Sequence, residues 1–186
     1  MKALLSQLSE TPRHFPDCCA ALSHPLLTTL LHHLPSPPAL ILSIGSGSGL
    51  LETLLFNLAC GSLNIYGVEV PSCANTHLPR DRVLRVSSTE SLHPQAVLAS
   101  TLIFVYPRQV GLVVGYLEAA LGGALEGVVW FGHRSDWVEY EDVLRSRFDM
   151  LEVVEGPGLA AYEVLVLASL PRGERVDGGV EEYSND

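Results

Sequence analysis

The segment Gly45-Ser46-Gly47-Ser48-Gly49 constrains this chain more than any other. It follows an apolar run, Ala39-Leu40-Ile41-Leu42-Ser43-Ile44, and precedes a helical stretch from Leu50 to Ala59 with Gly61 as its C-cap. An apolar run of strand length without polar alternation suits a parallel strand covered on both faces. Glycines at alternate positions let the chain turn sharply out of that strand and keep any Cβ away from a ligand. The helix that follows presents free N–H groups and the positive end of its dipole, so the turn is a cradle for an electron-rich group. A second apolar strand, Leu63 to Val68, ends in Glu69, twenty residues beyond Gly49. A carboxylate in that place can accept hydrogen bonds from the two hydroxyls of a ribose.

Three other uses of a glycine-rich turn fail on spacing or residue type. The dinucleotide pattern G-x-G-x-x-G counted from Gly45 would end at Leu50. A phosphate-binding loop of the Walker kind needs a lysine, and the single lysine of the chain is Lys2. A serine-nucleophile elbow needs serine at the centre, which here is Gly47.

Strands and helices go on alternating after Glu69. The pattern predicts strands at Val83–Val86, Leu102–Val105, Gly127–Phe131, Met150–Val154 and Tyr162–Ala168. Between them it predicts a helical turn or two at Pro94–Ala99, a helix over Val110–Leu121 ended by Gly122-Gly123, and an acidic amphipathic helix over Trp137–Arg147. Seven strands with helices among the first five mean an α/β fold with a mostly parallel sheet. The Gly156-Pro157-Gly158 turn is too short for a crossover helix, so the last two strands should form an antiparallel hairpin at one sheet edge.

Residues 1–38 read as N-terminal helices. Leu4, Leu5 and Leu8 recur at helical spacing, Asp17 caps a short turn through Leu22, and Ser23 caps a helix with Pro25 in its first turn. That helix runs to Leu34 and stops at Pro35-Ser36-Pro37-Pro38. Residues 39–170 form the core. Residues 171–186 lose the apolar pattern, carry two Arg against five Asp/Glu, and read as a flexible acidic tail.

With these elements placed, the sequence resembles the class I, S-adenosylmethionine-dependent methyltransferases over about residues 20–170. Leu42 to Gly49 is similar to their first motif, Tyr66-Gly67-Val68-Glu69 to the second, and Val86 to Leu92 to the third. Ile103 to Pro107 resembles the segment after strand four, and Gly122 to Trp130 the Gly-Gly approach to strand five. The resemblance implies a Rossmann-like three-layer sandwich, S-adenosylmethionine as cofactor, and methyl transfer to a small molecule or protein. It implies that Ser43, Gly45, Ser46, Gly47 and Gly49 cradle the cofactor, that Glu69 binds its ribose, that Ser88 and Thr89 flank its adenine, and that Tyr106 stands beside its methyl group. Tyr106 and His133, at the strand ends, are the candidate catalytic residues. The N-terminal helices lie where the family often keeps a substrate lid.

Two positions depart from the pattern. Ser43 and Ser88 stand where the family commonly has carboxylates, and a hydroxyl lacks the charge-assisted strength of a carboxylate, about twofold per bond. The fold can outlast the activity. The competing reading is therefore a degenerate, methyltransferase-like subunit that binds or scaffolds a partner protein.

The charge distribution narrows the partners. The net charge is −10, with five Lys/Arg against six Asp/Glu in residues 1–100 and six against fifteen in residues 101–186. No basic stripe forms, and Arg80, Arg82 and Arg85 read as a solvated loop and strand, so a nucleic-acid role is disfavoured. Pro107-Arg108 also departs from the Asn-Pro-Pro-Tyr signature of amino-directed nucleic-acid methyltransferases. No apolar run approaches 18 residues and no secretory signal pattern is present, so neither membrane insertion nor export is expected. Cys18, Cys19, Cys60 and Cys73 include no C-x-x-C pair and read as reduced thiols of a cytoplasmic or nuclear protein, with no metal site. His32 and His33 read as surface residues, and Trp130, Phe131 and Trp137 as either core or the wall of an apolar substrate pocket.

Overall fold

The computed structural model describes residues 5–156 and 158–170. The 171–186 tail, Leu4 and Pro157 lie outside the described residues. Nine strands and four α-helices are described here: β1 (Arg13–His14), β2 (Ala21–Leu22), α1 (His24–His33), β3 (Leu40–Ile44), α2 (Leu50–Leu58), β4 (Ile65–Glu69), β5 (Val83–Arg85), β6 (Ala99–Val105), α3 (Val110–Ala120), β7 (Gly127–His133), α4 (Arg134–Arg145), β8 (Met150–Val154) and β9 (Glu163–Ser169). Strands β3 to β9 form one seven-stranded sheet in the order β5-β4-β3-β6-β7-β9-β8. The first five of these run parallel, and β9 is antiparallel to both β7 and β8. The expected edge hairpin is present, with β9 between β7 and the edge strand β8.

The sheet's strand residues divide by parity between two cores. Leu42, Ile44, Leu102, Phe104, Val128, Trp130, Val164 and Val166 face α3 and α4. Ile41, Ile65, Ile103, Val129, Phe131 and Leu165 face α1 and α2. Side chains alternate along a strand, so a central strand with helices on both faces must be apolar at nearly every position. That is why β3 shows no polar alternation. Trp130 and Phe131 are fully buried, and Trp130 packs its ring against Trp137 and Tyr140. Both therefore belong to the core rather than to a pocket wall.

Element ends follow local chemistry. Ser23 accepts from Leu26 N–H at 3.1 Å and starts α1. Gly49 starts α2 in the left-handed region, φ +77°. Helix α4 begins three residues before the apolar spacing predicts, because His133 Nδ1 accepts from Ser135 N–H and caps it.

Three regions differ from the sequence expectation. Residues 13–22 are a β1–β2 hairpin, not a helical turn after Asp17. The Ala21 N–H, which a helix would turn inward along its own axis, donates instead to the distant Glu163 carboxylate at 2.9 Å. The β4–β5 connection carries only a short 3₁₀ turn, Arg80–Arg82, since Pro71 and Pro79 interrupt it. Arg82 and Arg85 are not simply solvated. Arg82 donates to the carbonyls of Leu63 and Ile65 and lies 4.3 Å over the Phe56 ring, and Arg85 donates to the carbonyls of Val70 and Cys73.

Candidate functional site

The C-terminal ends of β3, β4, β6 and β7 open on one edge of the sheet, and antiparallel β9 brings its first residue to the same edge, with Glu163 opposite His133. The glycine-rich loop sits at the middle of that edge. Gly45, Gly47 and Gly49 all have positive φ, at +73°, +56° and +77°. Gly45 N–H and Ser46 N–H donate to Val68 O, which ties the loop to the end of β4. Nothing lies within 4 Å of where a Cβ would stand on Gly45 or Gly47, so this side of the loop is open to a ligand. Gly49 is different: a Cβ there would stand 2.5 Å from Asn75 Nδ2.

Glu69 closes the other side. Its Oε2 accepts from Gly47 N–H at 2.9 Å and its Oε1 from Val70 N–H at 2.8 Å. Two carboxylate oxygens have about four acceptor sites, so capacity for two ligand hydroxyls is left. The segment after β4 folds back over the loop, where Thr76 and His77 N–H both donate to Ser48 O at 3.0 Å.

Among the described residues, the buried side-chain polar atoms with no hydrogen-bond partner are Ser46 Oγ, Glu52 Oε2, Thr53 Oγ1, both amide atoms of Asn75, and Trp130 Nε1. All but the tryptophan lie on the loop, on the first turns of α2 behind it, or on the segment folded over it. Buried polar groups are nearly always satisfied, and each exception costs about 1–3 kcal/mol. Ser46 Oγ packs beside Gly67 and Leu78 and the Asn75 amide beside Gly49, on the closed side of the loop, whereas Glu52 borders the cavity in front of it.

Ser43, where the motif would have a carboxylate, is buried and donates to Glu52 Oε1 at 2.5 Å. Glu52 is 2% exposed, and burial pushes its carboxyl up to about 7, partly offset by the bond from Ser43. A cavity of about 70 Å³ lies in front of this pair, lined by Gly45–Ser48, Glu52, Val105 and the Asp17–Cys19 segment. Asp17 latches that segment down: its carbonyl accepts from Ser48 Oγ at 2.7 Å and its carboxylate pairs with His77 at 3.1 Å. Burial pushes the Cys18 thiol up to about 12, and none of the four cysteines is in a disulfide.

Ser88 and Thr89 are exposed on the loop after β5, beside the end of β4. Ser88 Oγ is engaged with Ser91 Oγ at 2.8 Å and with Glu90 N–H. Tyr106 follows β6 with φ +48°, and its N–H donates to Phe131 O at 2.7 Å. Its hydroxyl donates to Glu163 Oε1 at 2.8 Å, and burial and then that carboxylate raise its pKa far above the ordinary tyrosine range. Glu163, 1% exposed, thus joins three pieces: Tyr106, the β1–β2 hairpin through Ala21, and the β9 approach through Ala160 N–H. His133 spends Nδ1 on capping α4, which puts the ring proton of its neutral form on Nε2. Its ring stacks on Tyr162 at 5.5 Å, and Tyr162 O–H meets His14 Nε2.

Sequence reasoning missed Glu52, Glu163, Asn75, His14 and Tyr162. Glu52 carried a signal: it is the one charged residue in a helix otherwise made of Leu, Thr, Phe and Asn, entirely buried over its first six positions. A carboxylate so placed must face the protein interior.

No protein-family model matches the sequence, and no curated protein matches it. Solved structures do. The chain superposes on a precorrin-6y C5,15-methyltransferase from Geobacter metallireducens with a TM-score of 0.58 at 13% identity, covering 88% of this chain and 99% of that one. It superposes on a SAM-dependent methyltransferase from Aquifex aeolicus at 0.54 and 14% identity, covering 77% and 88%. Human N-acetylserotonin methyltransferase, solved with SAM, gives 0.54 at 15% identity over 77% of this chain. The fold is that of the class I methyltransferases. The chain spans only 57% of the SAM-dependent methyltransferase SibL and 51% of the human enzyme.

Proposed function

We propose that the protein is an S-adenosylmethionine-dependent methyltransferase acting on a small molecule or a protein. The observation that carries this reading is the glycine-rich turn between β3 and α2, open at Gly45 and Gly47 and bounded by the Glu69 carboxylate at the end of β4. When bound, the cofactor supplies a sulfonium methyl group already activated for in-line transfer. The chain's own work is alignment, worth roughly 7–11 kcal/mol in well-oriented reactions. Gly45 and Gly47 let the backbone approach the adenosine while Gly49 packs against Asn75 and Leu78, Glu69 accepts from the ribose hydroxyls, and Ser88 and Thr89 flank the base with hydroxyls. Tyr106 is held rigid by Glu163 and shapes the wall beside the acceptor. His133 and Tyr162 bound the acceptor's entrance; with Nδ1 accepting the α4 cap bond and the proton on Nε2, the His133 ring has no free lone pair, so it serves as a base only once that cap bond is released. The net charge of −10 disfavours nucleic acid as acceptor. Free cysteines suit a reducing compartment, cytosol or nucleus.

One observation favours the alternative of a partner-binding subunit without catalysis. Asp17–Cys19 closes the loop down to a cavity of about 70 Å³, far less than the 300 Å³ or more of ordinary ligand sites. Isothermal titration with S-adenosylmethionine and S-adenosylhomocysteine, repeated on Glu69→Ala, separates the two. Micromolar binding abolished by Glu69→Ala supports the enzyme; no binding of either ligand at millimolar concentration supports the subunit.

A further inference from the structure

We infer that Glu52 is the carboxylate that receives the α-ammonium group of an amino-acid-bearing ligand, delivered from helix α2 in place of the acid that strand β3 lacks. This rests on the cofactor reading above and adds a residue that the motif does not contain.

The argument starts from Ser43. A hydroxyl at the end of β3 cannot neutralise a cation. Its side chain points instead at Glu52, nine residues on, and donates to Oε1 at 2.5 Å. The serine orients a carboxylate that stands close behind its own position. The other oxygen, Oε2, is buried without a partner, and Glu52 is part of the wall of the cavity beside Gly45–Ser48. A buried carboxyl with one oxygen unsatisfied is costly, and a purely structural role would be served as well by a glutamine or leucine. What the arrangement suits is a donor cation that reaches the cavity past the loop.

The neighbours agree on sign. The titratable and charged groups facing Glu52 are Glu69 across the loop, and Asp17, Cys18 and Cys19 from the segment that closes the cavity. None is cationic. Lys and Arg are absent from the lining, so nothing in the protein supplies the positive charge. The proposed function places Glu69, at the end of β4, on the ribose, which leaves Glu52 for the other end of the molecule.

The test compares two ligands that share adenosine and sulfur but differ at the amino-acid end. S-adenosylhomocysteine carries the ammonium; 5′-methylthioadenosine does not. Both are titrated against wild type and Glu52→Gln, with thermal melts to verify folding. The charge-assisted contact is worth ~1.5–3 kcal/mol, so Glu52→Gln should weaken S-adenosylhomocysteine ~10–100-fold and 5′-methylthioadenosine less than about twofold. Equal losses for both ligands, or none for either, overturn the inference while leaving the cofactor reading intact. Failure of wild type to bind either ligand overturns the cofactor reading itself. A ligand-side arm needs no variant: S-adenosylhomocysteine with its amino group removed should bind wild type ~10–100-fold more weakly, and equal affinity overturns the assignment.

Discussion

Glu52 should make the ligand-free protein less stable as pH rises, and Glu52→Gln should remove that dependence. Burial raises the carboxyl from 4.5 to about 7 in the folded state. A folded state that holds the proton more tightly than the unfolded chain is favoured at low pH. Its advantage declines as pH climbs from 4.5 and is gone above about 7, where ionising a buried group opposes folding. At about 1.4 kcal/mol per tenfold change in proton affinity, the loss for wild type relative to the neutral glutamine is roughly 2–3 kcal/mol between pH 5 and 8.5. For a chain of this length that corresponds to a difference in Tm growing by about 4–12 °C. Urea or thermal unfolding of both proteins across that range reads the difference directly, and groups common to both largely cancel. Parallel pH profiles would refute the reasoning, because they would mean that Glu52 is already ionised or already solvated. Diverging profiles, together with weaker binding of the ammonium-bearing ligand by Glu52→Gln, would show a residue that trades stability for ligand affinity.

The loop glycines should separate folding from binding. Gly47→Ala places a Cβ in open space at φ +56°, costing about 1 kcal/mol of stability while blocking the ligand's approach; Gly49→Ala drives a Cβ against Asn75 and Leu78 and should cost more than about 2 kcal/mol by urea unfolding. Tyr106→Phe leaves Glu163 Oε1 with Ala21 N–H alone, so it should cost about 1–2 kcal/mol and speed amide exchange at Ala21, measured by hydrogen–deuterium exchange. Iodoacetamide should modify exposed Cys19 but not Cys18, whose thiol is buried and shifted up to about 12, and saturating S-adenosylhomocysteine should slow the Cys19 reaction.

The site's backbone was legible because it is local. A buried strand, three glycines at alternate positions, a helix and a strand ending in Glu69 lie within thirty residues of chain. Each is set by φ/ψ preference and apolar pattern, and the structure shows all four in order. The core was legible for the same reason: alternation along β3, β6, β7 and β9 decides which side chains meet which helix layer. The hairpin at residues 13–22 was not, because a hydrogen bond from Ala21 to a residue 142 positions away overrides its local turn propensity. His133 was legible as a residue at the C-terminal end of a strand, but its bond to Ser135 as a helix cap could be seen only once α4 was placed.

What the sequence alone determined is the fold class and one half of the candidate cradle, the half built by neighbours along the chain. The tertiary structure decided where the charges sit. Glu52 and Ser43 meet because α2 packs back on β3, and Glu163, Tyr106 and Ala21 meet because antiparallel β9 starts at the edge where the parallel strands end. Electrostatics and burial depend on distance in space rather than along the chain, so a hydroxyl that reads as a lost carboxylate in one dimension becomes the holder of another in three.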